Sequence, residues 1–203
     1  MTWAEFRREV FGDPYLVWHD GADFAELLAR YRTDPGTVER MLRMGIDEGD
    51  HVAVESIGVL AHADLAPRDS VPLLESALPG AAGTMRVRLA QVLLVLTGDQ
   101  CWAAEVSAVL AQGGSWSPRI DAAIALADFV PTPELARVLA RAVQDDEYLV
   151  RHHAADTLLA YAGRRRDVHH YPRLFTLIIA ADPAAWQAAA TKLVDALALP
   201  ENS

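Results

Sequence analysis

The chain has 203 residues, 52% of them hydrophobic, enough to bury a substantial core in one domain or one continuous array. Its longest apolar run, residues 122–127, is far short of the roughly 18 residues of a membrane span, and Met1-Thr2-Trp3-Ala4-Glu5-Phe6-Arg7-Arg8 mixes charges where a signal peptide is apolar. The formal charge of −10, from 28 acids and 18 bases, opposes binding to nucleic acid, and the single cysteine, Cys101, excludes both an intramolecular disulfide and a cysteine-built metal cluster. A soluble cytoplasmic protein with no nucleic-acid or membrane partner is expected. Lys192 is the sole lysine beside many arginines and alanines, a bias that suggests a GC-rich bacterial genome.

Strand signals are nearly absent, while Ala, Leu, Arg and Glu recur at helical spacing. In chain order the predicted helices are 2–11, 22–32, 35–47, 50–63, 67–78, 84–97, 100–112, 117–129, 133–144, 147–162, 171–181 and 183–198. Regular punctuation separates them. Asp34-Pro35 offers an N-cap acid followed by a proline at the first helical position, and Asp182-Pro183 repeats that arrangement. Pro79-Gly80, Gly98-Asp99, Gly113-Gly114, Pro131-Thr132-Pro133 and Gly163 mark other breaks.

A pattern recurs within these helices. Asp145 and Asp146 precede Val150-Arg151-His152-His153-Ala154-Ala155-Asp156-Thr157-Leu158. Related stretches are Pro118-Arg119-Ile120-Asp121-Ala122-Ala123-Ile124-Ala125-Leu126, Met85-Arg86-Val87-Arg88-Leu89-Ala90-Gln91-Val92-Leu93, Val52–Leu60 and Ala185–Leu193. Their terminal leucines, Leu60, Leu93, Leu126, Leu158 and Leu193, are spaced by 33, 33, 32 and 35 residues. One match to so loose a pattern is weak, whereas five in nearly constant phase point to stacked helical hairpins, since a lone hairpin cannot bury its apolar face.

This pattern resembles the second helix of a HEAT repeat, in the bacterial subgroup related to phycobilisome-lyase repeats. The resemblance implies an all-α, right-handed α-α superhelix of about five hairpins over residues 34–203. Residues 1–33 match nothing in the repeat and are expected to form a helical cap, sealed by Trp3, Phe6, Phe11, Tyr15 and Trp18. It also implies that Arg86, Arg119 and Arg151, at one repeat position, form a structural ladder with turn acids of neighbouring repeats. Asp145 and Asp146 are the candidates. Ala53 and Trp186 interrupt that ladder at the ends.

In such a solenoid the second helices line a concave surface. Offsets of two, five and nine from the arginine position share one helical face. That stripe contains Glu55, Arg88, Gln91, Asp121, Asp128, His153 and Asp156. Its acidity suits a protein partner with a basic surface, and the expected function is a non-catalytic scaffold or adaptor. An inhibitor, such as an immunity protein for a basic toxin, is a more specific version.

Catalytic motifs are missing: no phosphate-cradling glycine loop, nucleophile elbow or HExxH is present, and no cofactor is expected. The exception to weigh is histidine. His152-His153 and His169-His170, with Asp156 and Asp167 nearby, could centre a metal-dependent module or enzyme on His153, Asp156 and His169. Adjacent helical residues lie about 100° apart, which argues against His152 and His153 sharing one ion. Arg164-Arg165-Arg166 follows a helix end and is read as favouring that helix's dipole. A glycosylase-like role is opposed by the acidic stripe, and a chromophore-lyase-like role rests only on the resemblance.

Overall fold

A computed structural model describes residues 1–13, 15, 22–112 and 114–197. Among them are twelve α-helices and no strand. We number the helices α1 (Trp3–Phe11), α2 (Ala25–Thr33), α3 (Pro35–Asp47), α4 (His51–His62), α5 (Ser70–Ala77), α6 (Gly83–Thr97), α7 (Ala103–Ala111), α8 (Trp116–Ala125), α9 (Pro133–Ala142), α10 (Tyr148–Tyr161), α11 (Pro172–Ile179) and α12 (Pro183–Asp195). None is long and apolar enough to cross a membrane. Trp18 and Gly113 lie outside the described residues.

Local chemistry explains most of the boundaries. Thr2 and Glu5 close a reciprocal capping box on α1. Asp34, Asp50, Thr132 and Asp182 accept backbone N–H bonds at the starts of α3, α4, α9 and α12. Gly98 ends α6 in the left-handed conformation. The helix predicted at 117–129 is divided instead, because α8 tightens into a 3-10 turn at Leu126–Asp128. The carbonyls of Ala123, Ile124 and Leu126 accept hydrogen bonds from Thr157, Arg166 and Tyr161, at 2.7, 3.0 and 2.7 Å. Side chains distant in sequence thus satisfy carbonyls at the end of α8.

The chain divides into two compact units, Met1–Asp99 and Gln100–Ser203. In the first, α3 and α4 form one hairpin and α5 and α6 another; α4 packs beside α6 and α3 beside α5. Helix α1 packs on α2 and α3, with Trp3, Phe6 and Phe11 buried, whereas Tyr15 is exposed. The seam depends on Gly45. A Cβ there would lie 2.6 Å from the Trp3 ring and 2.7 Å from the Cβ of Ala53. Asp50 fastens the same junction: it caps α4, accepts a hydrogen bond from the Trp3 indole N–H at 2.9 Å, and forms an ion pair with Arg7, whose Nε stands 2.9 Å away.

In the second unit, α7–α8, α9–α10 and α11–α12 are consecutive hairpins. Helix α10 lies between α8 and α12, and α7 packs on α9. The last hairpin departs from this regularity, since α12 packs against α9 as well as α10. All five repeat leucines, Leu60, Leu93, Leu126, Leu158 and Leu193, are buried in their units. The alanine pairs 122–123, 154–155 and 189–190 are buried with them, as close approach of helices requires.

Two substitutions at glycines separate packing from helix propensity. Gly45→Ala should lower stability by about 1–3 kcal/mol through overpacking. Gly36→Ala, whose new methyl meets only the Asp34 carboxylate at 4.0 Å, should be neutral or stabilising by up to about 1 kcal/mol. Urea denaturation followed by circular dichroism measures both; equal effects would show that Trp3 and Ala53 do not restrain Gly45.

Candidate functional site

The arginine position serves two different kinds of contact. Arg119 on α8 forms an ion pair with Asp145, in the turn before α10, and both side chains are largely buried. Arg151, only 5% exposed, pairs with no carboxylate among the described residues, unlike the ladder expectation. Its Nη1 donates to the backbone carbonyls of Asp145 (2.7 Å) and Asp146 (3.0 Å), and its Nε to that of Ile178 (3.0 Å). The guanidinium stands 4.1 Å from the centre of the Trp186 ring. Burial lowers its pKa, while Asp145, Glu147, Asp146 and Tyr148 oppose that shift. The cause is geometric: the planar fork reaches carbonyls in the turn before α10 and at the end of α11 while its face stacks on an aromatic ring. Trp186 therefore occupies the arginine position of the last repeat as the stacking surface for Arg151. Arg86 is half-buried on α6.

The expected binding stripe is not uniform. In the first unit Glu55 pairs with Arg88 at 2.7 Å, and Arg88 also donates to Gln91 Oε1 at 2.7 Å. These three residues form one network across α4 and α6. In the second unit Asp128 is exposed and Asp121 half-buried. Asp156 departs from the outward-facing expectation, being only 9% exposed. Its Oδ1 accepts the Val168 N–H at 2.8 Å, so the turn Val168–His170 folds back over this part of α10.

That withdrawn carboxylate lies among histidines. His152 Nε2 is 3.4 Å from Asp156 Oδ2, and His152 Nδ1 is 3.4 Å from the Tyr148 hydroxyl. His152 and His153 meet edge to face, with ring centres 5.1 Å apart. One possible ligand atom from each of His152, His153 and Asp156 lies within 4.8 Å of the others. The 100° between adjacent helical positions therefore does not keep the two imidazoles from a common site, because their side chains are long enough to converge. His169 lies against His152 and Phe175, with ring centres at 5.1 and 4.4 Å, outside this three-residue group. His170 Nδ1 instead contacts Asp167 Oδ2 at 2.6 Å.

Two further features were not visible in the sequence pattern. Arg166 reaches the Ile124 carbonyl, so its helix-end interaction is with α8 rather than with the preceding α10. A cleft of about 540 Å³ is lined by Leu159, Leu174 and Leu193 together with Arg164, Arg173 and Lys192. Its cations come from separate segments and share no motif, so only folding assembles them.

Burial is the main cause of a lowered pKa at His153; His152 and Arg166 add to the shift and Asp156 opposes it. The unfolded chain consequently binds this proton more readily than the folded one. The contribution is fully present above the ordinary imidazole pKa of about 6.5 and is lost as pH falls below it. Chemical denaturation between pH 8 and 5 should show a shallower acid loss in His153→Gln than in the parent; identical slopes would show that this imidazole is not held neutral. At the stacked arginine, Arg151→Met should cost about 1–3 kcal/mol, because three carbonyls lose their donor. Stability equal to the parent's would show that those carbonyls find other partners.

The chain has no match among protein-family models, curated proteins or solved structures.

Proposed function

We propose that the chain is a non-catalytic protein-binding module of the HEAT-like class, its hairpins forming a right-handed α-α superhelix, and that it holds a partner with a basic surface. The observation that carries this reading is the agreement between sequence period and packing. Leucines about 33 residues apart are all buried, and within each unit second helix packs beside second helix. Such stacking spends one face of each second helix on its neighbours and leaves another for a partner.

Asp121 and Asp128 are the residues we assign to partner contact in the second unit. Both stand outside the core, and Trp116, half exposed at the start of the helix that carries Asp121, adds the kind of side chain that anchors interfaces. Glu55, Arg88 and Gln91 form the corresponding polar surface in the first unit. Asp156 is excluded from direct contact by its burial. Charge complementarity here governs association rate and selectivity more than total affinity.

The test is affinity capture on the immobilised chain, comparing the parent with the double variant Asp121→Lys, Asp128→Lys. A basic protein retained by the parent should be lost at least about tenfold, which is 1.4 kcal/mol. The variant should melt within a few degrees of the parent, since neither residue lies in the core. Retention undiminished by charge reversal would remove these aspartates from the interface.

A further inference from the structure

We propose that His152, His153 and Asp156 form a binding site for a single divalent transition-metal ion of the zinc class. It rests on different residues from the partner surface and stands or falls separately. Imidazole nitrogens and a carboxylate oxygen are ligands suited to such an ion, and three protein ligands leave one tetrahedral position for solvent. Ligand atoms around a zinc ion at about 2.0–2.2 Å lie roughly 3.3 Å from one another. The separations here are all within 4.8 Å, and His152 Nε2 and Asp156 Oδ2, at 3.4 Å, already stand near that value.

The surroundings of the three ligands favour coordination over a chance grouping. Asp156 uses Oδ1 for the Val168 N–H, and that bond orients Oδ2 toward His152. The Tyr148 hydroxyl faces His152 Nδ1, the nitrogen on the far side of the ring from Asp156, as expected for a ligating imidazole held by an outer hydrogen bond. The carboxylate is buried, and the ion-pairing partner beside it is an imidazole rather than a fixed cation. A bound dication would supply the positive charge that a buried carboxylate requires. His152 and Asp156, one helical turn apart, are presented on one face of the 14-residue helix α10.

The site would link two parts of the second unit. Asp156 contacts the turn Val168–His170 through Val168, so an ion on Asp156 should also hold that turn against α10.

The full chain, without a histidine tag and stripped with EDTA, is titrated with Zn²⁺ by calorimetry and with Co²⁺ by visible absorption. One saturating equivalent, a raised Tm and a Co²⁺ spectrum of tetrahedral intensity are expected. His153→Gln and Asp156→Asn should each weaken Zn²⁺ binding at least about tenfold. Asp156→Asn keeps a carbonyl oxygen for the Val168 N–H, and His153→Gln alters a half-buried position, so at least one should retain the parental helical spectrum. Absence of saturable binding to the parent would overturn the proposal. So would parental affinity in either folded variant, which would place the ion elsewhere, for instance at Asp167 and His170.

Discussion

Close approach of helix backbones is the constraint on which the packing of this protein depends. A short hairpin hides its apolar stripe only if its neighbour comes near enough to exclude water, and bulky residues at the crossing prevent that. Gly45 shows the limit, since there is no room for a methyl group between Trp3 and Ala53. Gly58 is similar, with Val92 at 3.0 Å from where its Cβ would stand. The buried alanine pairs of α8, α10 and α12 serve the same end in the second unit. The leucines that follow them fill the space that close approach creates.

Helix ends leave carbonyls without intrahelical partners, and in the second unit long polar side chains answer several of them. Arg151 donates to carbonyls before α10 and at the end of α11, while Thr157, Tyr161 and Arg166 take those at the end of α8. Burying a guanidinium is unfavourable in isolation, but three hydrogen bonds and the Trp186 face offset the loss of water. The same economy of buried polar groups explains Asp156, whose carboxylate is withdrawn from the surface because it holds a turn.

The proposed partner surface and the histidine group arise on the same kind of helix but answer different physical demands. Asp121 and Asp128 remain outside the core, where charge can be felt by an approaching protein. Asp156 is drawn inward, and the half-buried His152 and His153 pack beside it and each other. Depth below the surface sets Asp156 apart: it shares the predicted stripe with Asp121 and Asp128, yet is buried where they are not.

Helical periodicity, proline and glycine punctuation and the recurrent leucines determined the all-helical class, nearly all helix positions and the identity of much of the core. These are local signals: each depends on residues within a turn or two of one another, so they survive without knowledge of the fold. Only tertiary structure decided that Arg151 meets carbonyls instead of carboxylates, that α8 ends early, that Asp156 turns inward and that two adjacent histidines converge. Each outcome depends on a partner more than one helical turn away or on side-chain reach. The energy of a buried polar group is set by what surrounds it, and a linear pattern carries the group without its surroundings.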